Sequence, residues 1–449
     1  MTNTRNWKFS PESALVYASS IAKPRRAGSD GEKNVADQLQ CLLEKFGYCV
    51  DRHPFHFIMG GARILPIYIA IKCLWILFYI LTLISYSWFH LLLFGAFFFL
   101  DWRFPRIINH IQSHMLLPPG DYEGRVKPWW EPLLGREIGS SNIIASQADF
   151  TEGKKTHIYL VANYDSKSLR IPISFQLWSY KLYLYGFRAG WFVLKLLIIV
   201  AFFGLITVGF GFVPLTLWLK ICQSISLLFT VIGLATIFMG LPSLCQGVGN
   251  KSSGAFMNAS GVGLLLHLAE ILADHRDLRD KFKITILFTS AGEERHFGVE
   301  AFVRDYHNAL SQEAKVGNVF IINVEGIGMR ETLLLEPHSN NIQDVRDRVL
   351  TRIIEETCSE EDIPLGRFPN IITGMSHTPF LARGFNAVSI GMMGESLRVL
   401  YSPQDTVDKL TPQGFEQAGE MILSVIEQLA SIDEPAPVNE EFAITRYMT

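Results

Sequence analysis

The sequence is short of charge. Only 18% of its 449 residues are Asp, Glu, Lys or Arg, against about a quarter in ordinary globular chains, and mean hydropathy is +0.21. It also lacks a surplus of either sign: 40 Lys plus Arg stand against 43 Asp plus Glu, a formal net charge of −3. Without a basic excess to pair with phosphates, a nucleic-acid partner is disfavoured. Cysteine is sparse. Cys41, Cys49, Cys73, Cys222, Cys245 and Cys358 form no Cys-x-x-Cys pair and no framework spacing, which fits a reduced, cytosol-facing chain. The first residues, through Ser13, lack the apolar core of a signal peptide. The abundance of Phe, Leu and Ile excludes a disordered chain.

The charge deficit is local. Residues 64–101 hold two charges, Lys72 and Asp101, and residues 191–249 hold two more, Lys195 and Lys220. Outside these blocks the charged share rises to about 22%, near the globular norm. Within the second block, 192–213 and 221–241 are each long enough for the ~20 residues that span a bilayer core. Pro214 and Trp218 lie between them, where an interfacial turn would place them. The expectation is a transmembrane hairpin. In the first block, 64–84 is long enough to span but 87–100 is short, so that hairpin either thins the bilayer or is re-entrant. Two hairpins leave all polar sequence on one side. Arg52, Arg63, Arg103, Arg106, Lys181, Arg188 and Lys251 flank the polar segments, while the hairpin tips offer only Lys220. The positive-inside bias then predicts an integral membrane protein whose polar domain faces the cytoplasm. The expected organisation is a polar domain from 1–63, 102–190 and 250–449, with membrane hairpins at 64–101 and 191–249.

The polar sequence alternates helical and strand patterns. Strands are expected at 48–57, 157–162, 284–289, 318–324 and 386–391, and helices over most of 11–46 and at 260–275, 297–310, 341–358 and 412–431. This order predicts an α/β domain whose mostly parallel central sheet is flanked by helices, with the two helical hairpins, transmembrane or re-entrant, inserted. Functional groups in such folds gather beyond the carboxyl ends of strands. Polar residues stand there: Asn-Tyr-Asp-Ser (163–166), Ser-Ala-Gly-Glu-Glu-Arg (290–295), Glu-Gly-Ile-Gly (325–328) and Tyr-Ser-Pro-Gln-Asp-Thr (401–406). A run of small residues, Ser-Ser-Gly-Ala-Phe-Met-Asn-Ala-Ser-Gly-Val-Gly (252–263), opens a helix among them.

This order of motifs resembles the M28 family of zinc aminopeptidases across essentially the whole polar chain. Pro-Arg-Arg-Ala-Gly-Ser-Asp-Gly-Glu (24–32), Ser-Asn-Ile-Ile-Ala (141–145) and the stretch from Met375 through Gly384 are further landmarks. The resemblance implies two-metal hydrolysis, with paired zinc ions lowering the pKa of a bridging water. Carried over residue by residue, it places Glu293 at the general-base position and Glu294 and Glu325 at metal-ligand positions. Asn163, Met257 and Ser402 stand where the family has His, Asp and His. Asp165 matches the acid that orients the strand-end ligand, and His377 sits in a landmark as a substrate contact or a buried partner. A thioether and two neutral polar groups are poor zinc donors in such a site. A conventional zinc pair is therefore not expected; the cleft is expected to hold no metal or one weakly bound divalent cation, with Glu293 a vestigial base or a contact for a substrate amine.

Three functions compete. The chain is a membrane-anchored pseudoenzyme whose cleft binds a peptide, a lipid-linked amine or a partner segment. Alternatively, it is an active hydrolase with a single metal at Glu294, Glu325 and either His296 or His377; glutaminyl cyclases of similar fold use one zinc but keep a His at the position of Ser402. Or it is a structural subunit of a membrane complex. Because the second hairpin enters between Asp165 and Met257, the cleft is expected to open toward the bilayer. Trp129, Trp130, Trp178, Tyr180, Tyr183 and Tyr185 are the candidates for an interfacial aromatic belt.

Overall fold

The computed structural model describes residues 8–84, 114–120, 135–147, 156–275, 281–336, 349–368 and 375–430, with isolated positions between 99 and 131. Helix α1 (Pro11–Ile21) starts on Ser10, whose hydroxyl accepts from the Ser13 N–H at 3.2 Å, with Pro11 at the first helical position. Helix α2 (Asp30–Lys45) is capped by Ser29, and Glu32 reaches back to accept from the Gly28 N–H at 2.6 Å. There follow β1 (Tyr48–Met59), α3 (Gly61–Ile84), β2 (Arg136–Gln147), β3 (Thr156–Asn163), α4 (Ile173–Gly209), α5 (Leu215–Leu244) and α6 (Ser260–Asp274). The chain continues through β4 (Phe282–Thr289), α7 (Phe297–Asp305), α8 (His307–Val316), β5 (Asn318–Glu325), β6 (Leu333–Leu335) and α9 (Val349–Glu360). It ends with β7 (Leu365–Arg367), β8 (Asn386–Met392) and α10 (Pro412–Leu429).

The chain divides into two compact units, one of Met1–Met59, Leu116–Ser168 and Val248–Thr449, the other of Gly60–Met115 and Leu169–Gly247. In the first, eight strands form one sheet in the order β1-β2-β4-β3-β5-β8-β6-β7. The centre β4-β3-β5-β8 is parallel, and β1, β2 and β6 are antiparallel to their inner neighbours. Strands β3 and β5 are buried at almost every position because helices cover both faces. Strands β4 and β5 lie on either side of β3, so the carboxyl ends of β3, β4 and β5 open a crevice where the chain reverses direction through the sheet. Helix α6 packs against the sheet with its small residues inward: a Cβ on Gly263 would stand 2.5 Å from the Ala18 nitrogen, and one on Gly261 2.7 Å from the Val324 oxygen. These glycines set how closely α6 approaches α1 and β5.

The second unit is helical. Ile76, Tyr79 and Ile80 of α3 pack with Val193 and Leu194 of α4 and Phe229 of α5. Gly233 lets α3 approach, since a Cβ there would stand 2.8 Å from Ile76. The Lys72 ammonium lies over the Tyr68 and Phe187 rings, 4.2 and 3.9 Å from their centroids. Among the described residues, four helices are long and apolar enough to cross a membrane. One of them, the stretch Ala255–Asp274, is 83% buried within the α/β unit and is a core helix. The other three, α3, α4 and α5, keep 39%, 22% and 22% of their apolar windows buried. Phe192, Phe202, Phe210 and Phe212 point outward, an apolar surface that suits lipid and not water.

Several details differ from the sequence expectation. Helix α4 begins at Ile173, well before the apolar block, and its 37 residues measure ~55 Å. Tyr183, expected in an aromatic belt, is buried against Ile69 and Cys73, whereas Trp178 and Tyr185 are exposed. The helix expected at 297–310 is two helices broken at Tyr306. Nearly all of the first hairpin's second arm, residues 341–348 and both Trp129 and Trp130 lie outside the described residues.

Candidate active site

The crevice is built by three strand ends and the segment that opens α6. Past Asn163, the buried Asp165 accepts from the backbone N–H of Gly292 at 2.9 Å and of Glu293 at 3.3 Å, and so fixes the turn that follows β4. That turn requires Gly292, because a Cβ there would overlap the Asn163 amide. Ala291, Arg295 and His296 all have positive φ. Such clustering of unfavourable backbone in non-glycine residues is characteristic of functional sites. Burial, then the neighbouring Glu293 charge, pushes the Asp165 carboxyl well above the usual range.

Glu293 is enclosed by partners. Its Oε2 lies 3.1 Å from the Lys167 ammonium, and its Oε1 accepts from Asn258 Nδ2 at 3.0 Å. Lys167 also donates to the Glu293 carbonyl at 2.9 Å and sits 4.5 Å from the centre of the Tyr401 ring. The Tyr401 hydroxyl bonds the Glu293 carboxylate, and burial with that charge raises its pKa well above the ordinary phenol value. Glu294, 3% exposed, forms an ion pair at 3.0 Å with the Arg26 guanidinium.

Glu325 ends β5, and its Oε1 accepts from Asn163 Nδ2 at 3.2 Å, Asn323 Nδ2 at 2.9 Å and the Ser376 N–H at 2.9 Å. Asn163 in turn accepts from the Thr289 hydroxyl at 2.7 Å and donates to Ser376 Oγ at 2.7 Å. His296 Nδ1 lies 2.9 Å from the same Ser376 Oγ. His377 is fully buried and bonds Ser389 Oγ at 2.7 Å; Asn323 donates to that hydroxyl as well and links it to Glu325. Met257 is half-buried at the opening of α6, with its N–H on Asp405 at 3.3 Å and a cis peptide bond to Asn258. Ser402 turns its hydroxyl onto the Val399 carbonyl at 2.6 Å and accepts from the Gln404 N–H, both within its own turn. The structure thus joins Asn163 to Glu325 and Asp165 to Glu293 directly, while Ser402 bonds locally.

The sequence reading left out several members of the site. Arg25 is fully buried and donates to the carbonyls of Tyr164, Lys23, Ser253 and Gly254 at 2.6, 3.0, 2.5 and 2.9 Å. Burial lowers its pKa to about 10. Asp405 accepts from the Phe256 and Met257 N–H groups at 2.6 and 3.3 Å, and burial raises it to about 6. Arg26, Lys167, Asn258, Ser376 and Tyr401 complete the network. All but Lys167 lie inside motifs already singled out, so the motifs were the signal and the side-chain roles were not.

Residues 243–426 match the model of Peptidase family M28. Among solved structures, the chain is similar to a zinc aminopeptidase from Bacillus subtilis at 12% identity and a TM-score of 0.52, covering 97% of this chain and 100% of that one. A glutaminyl cyclase from Porphyromonas gingivalis is similar at 13% identity and a TM-score of 0.49, covering 94% and 99%. No curated protein matches the chain. The family match spans α6 through most of α10, the aminopeptidase shares the architecture, and the sheet order sets Glu293 and Glu325 at the ends of the two strands that flank β3: the polar part of the chain has an M28-like fold.

Proposed function

We propose that this chain is a membrane-anchored pseudoenzyme whose M28-like cleft binds an amine-bearing ligand, a peptide amino terminus or a lipid-linked amine, without hydrolysing it. The observation that carries this reading is the state of Glu293. It stands at the position of a base that would face a metal-bound water. Lys167, Asn258 and Tyr401 engage it instead.

The donor set does not fit a zinc pair. Such sites use imidazole and carboxylate donors, and here an amide, a thioether and a hydroxyl hold three of the five positions. Of the remaining two, Glu294 is ion-paired with Arg26, and one Glu325 oxygen accepts three N–H groups. Among the described residues no three His, Cys, Asp or Glu side chains converge as a metal ion requires. A carboxylate base without a metal-bound water has little to deprotonate at neutral pH.

Anchoring rests on the outward apolar faces of α3, α4 and α5, and the cytoplasmic side on the Lys and Arg residues flanking the polar segments. Labelled peptides titrated onto the full chain in lipid nanodiscs, with product analysis, test the function. Saturable binding that weakens in Glu293→Gln, with the peptide recovered intact, is expected. Turnover abolished by Glu293→Gln would instead establish the hydrolase reading, and absence of binding to any amine would leave the structural-subunit reading.

A further inference from the structure

Five carboxylates gather at the strand ends, and they are satisfied in two different ways. Asp165 and Asp405 each accept two backbone N–H groups, and Glu325 accepts three uncharged donors. Only Glu293 and Glu294 receive full cations, Lys167 at 3.1 Å and Arg26 at 3.0 Å. Glu294 occupies a metal-ligand position of the family and Glu293 the general-base position beside it.

Both cations are pinned. Arg26 Nη1 donates to the Val248 carbonyl at 3.2 Å, and its own N–H donates to Asn250 at 2.9 Å. Lys167 is held between the Glu293 carbonyl and the Tyr401 ring. Their side chains are 22% and 19% exposed, and their partners 3% and 5%. A carboxylate buried to that degree needs either several hydrogen-bond donors or a compensating charge, and anchoring at a second point lowers the entropy lost in holding a long side chain in place. A divalent ion at Glu294 would have to displace the guanidinium.

We propose that Arg26 and Lys167 are resident counter-cations: they supply, as side-chain charge, the neutralisation that metal ions give in zinc aminopeptidases, and the cleft assembles without metal. This inference rests on the reading that the cleft holds no zinc pair. It makes Arg26 and Lys167 positioning residues, with a distinctive signature. Removing them leaves two acids that a divalent cation can rescue, which the loss of an ordinary surface ion pair would not do.

The test is thermal unfolding of the full-length protein in detergent with EDTA, and with millimolar Mg²⁺ or Zn²⁺, for wild type and Arg26→Gln/Lys167→Gln. Wild type is expected to melt at the same temperature under all conditions, and the double variant to melt lower by about 5 °C or more and to recover with added divalent ion. A double variant no more responsive to cations than wild type would overturn the proposal while leaving the pseudoenzyme reading intact. A wild type destabilised by EDTA would sink both. If the double variant fails to fold, Arg26→Gln and Arg26→Gln/Glu294→Gln carry the comparison: the charge-neutral pair melts above the single variant if Arg26 neutralises Glu294, and at or below it otherwise.

Discussion

Arg25 offers the sharpest test of how the crevice is held together. Its bonds to the Tyr164 and Gly254 carbonyls are fully buried, and those to Lys23 and Ser253 partly so. Together they tie the segment before α2 to the end of β3 and to the turn that opens α6. Arg25→Met keeps most of the volume but removes every donor. Each buried carbonyl left without a partner costs ~1–3 kcal/mol. With water able to reach the two partly buried oxygens, the net loss is about 3–5 kcal/mol, a large share of the ~5–15 kcal/mol that holds a typical domain together. Arg25→Lys keeps the charge but not the fork and should lose less. Thermal unfolding followed by intrinsic fluorescence would show a fall of about 5–15 °C for Arg25→Met. A Met variant melting within about 2 °C of wild type would refute the claim that this guanidinium organises the site.

Three further outcomes follow from the same geometry. Asp405 is raised from 3.8 to about 6 by burial, so the stability linked to its proton is fully present below pH ~3.8 and is lost as pH rises through 6. The stability of wild type relative to Asp405→Asn should fall by up to about 3 kcal/mol between pH 4 and 7.5, measured by denaturant unfolding; a pH-independent difference would contradict the assignment. Gly263→Ala drives a methyl into the α1 backbone and should cost about 1–3 kcal/mol in the same assay, whereas a neutral effect would mean that α1 and α6 can separate. Cys41 and Cys49 are exposed, and with the proposed cytoplasmic orientation of the polar domain a membrane-impermeant maleimide should label them only after cells expressing the chain are permeabilised. Labelling in intact cells would place the polar domain outside.

The parts of the fold that were legible in sequence are those fixed by local pattern. Strands β3, β4, β5 and β8 are continuous apolar runs because they are buried on both faces, and each was found within two residues at either end. Strand β2 was recognised only as a short landmark, since its first half, Arg-Glu-Ile-Gly-Ser-Ser, carries no strand period; pairing with β1 over twelve residues makes it extended. Strands β6 and β7, three residues each, depend wholly on their neighbours. The same division holds at the site. Glu293, Glu294 and Glu325 were readable from motif order. Their partners were not, because Arg26 lies 268 residues from Glu294 and Lys167 lies 126 residues from Glu293, and only the folded sheet brings them together.

The central claim is that this M28-like cleft binds without hydrolysing. The most direct measurement is the zinc content of the full-length protein, purified without chelators, taken together with aminopeptidase turnover of the same sample. The account predicts far less than one zinc per chain and no turnover above that of Glu293→Gln. Stoichiometric zinc with turnover that Glu293→Gln abolishes would contradict it.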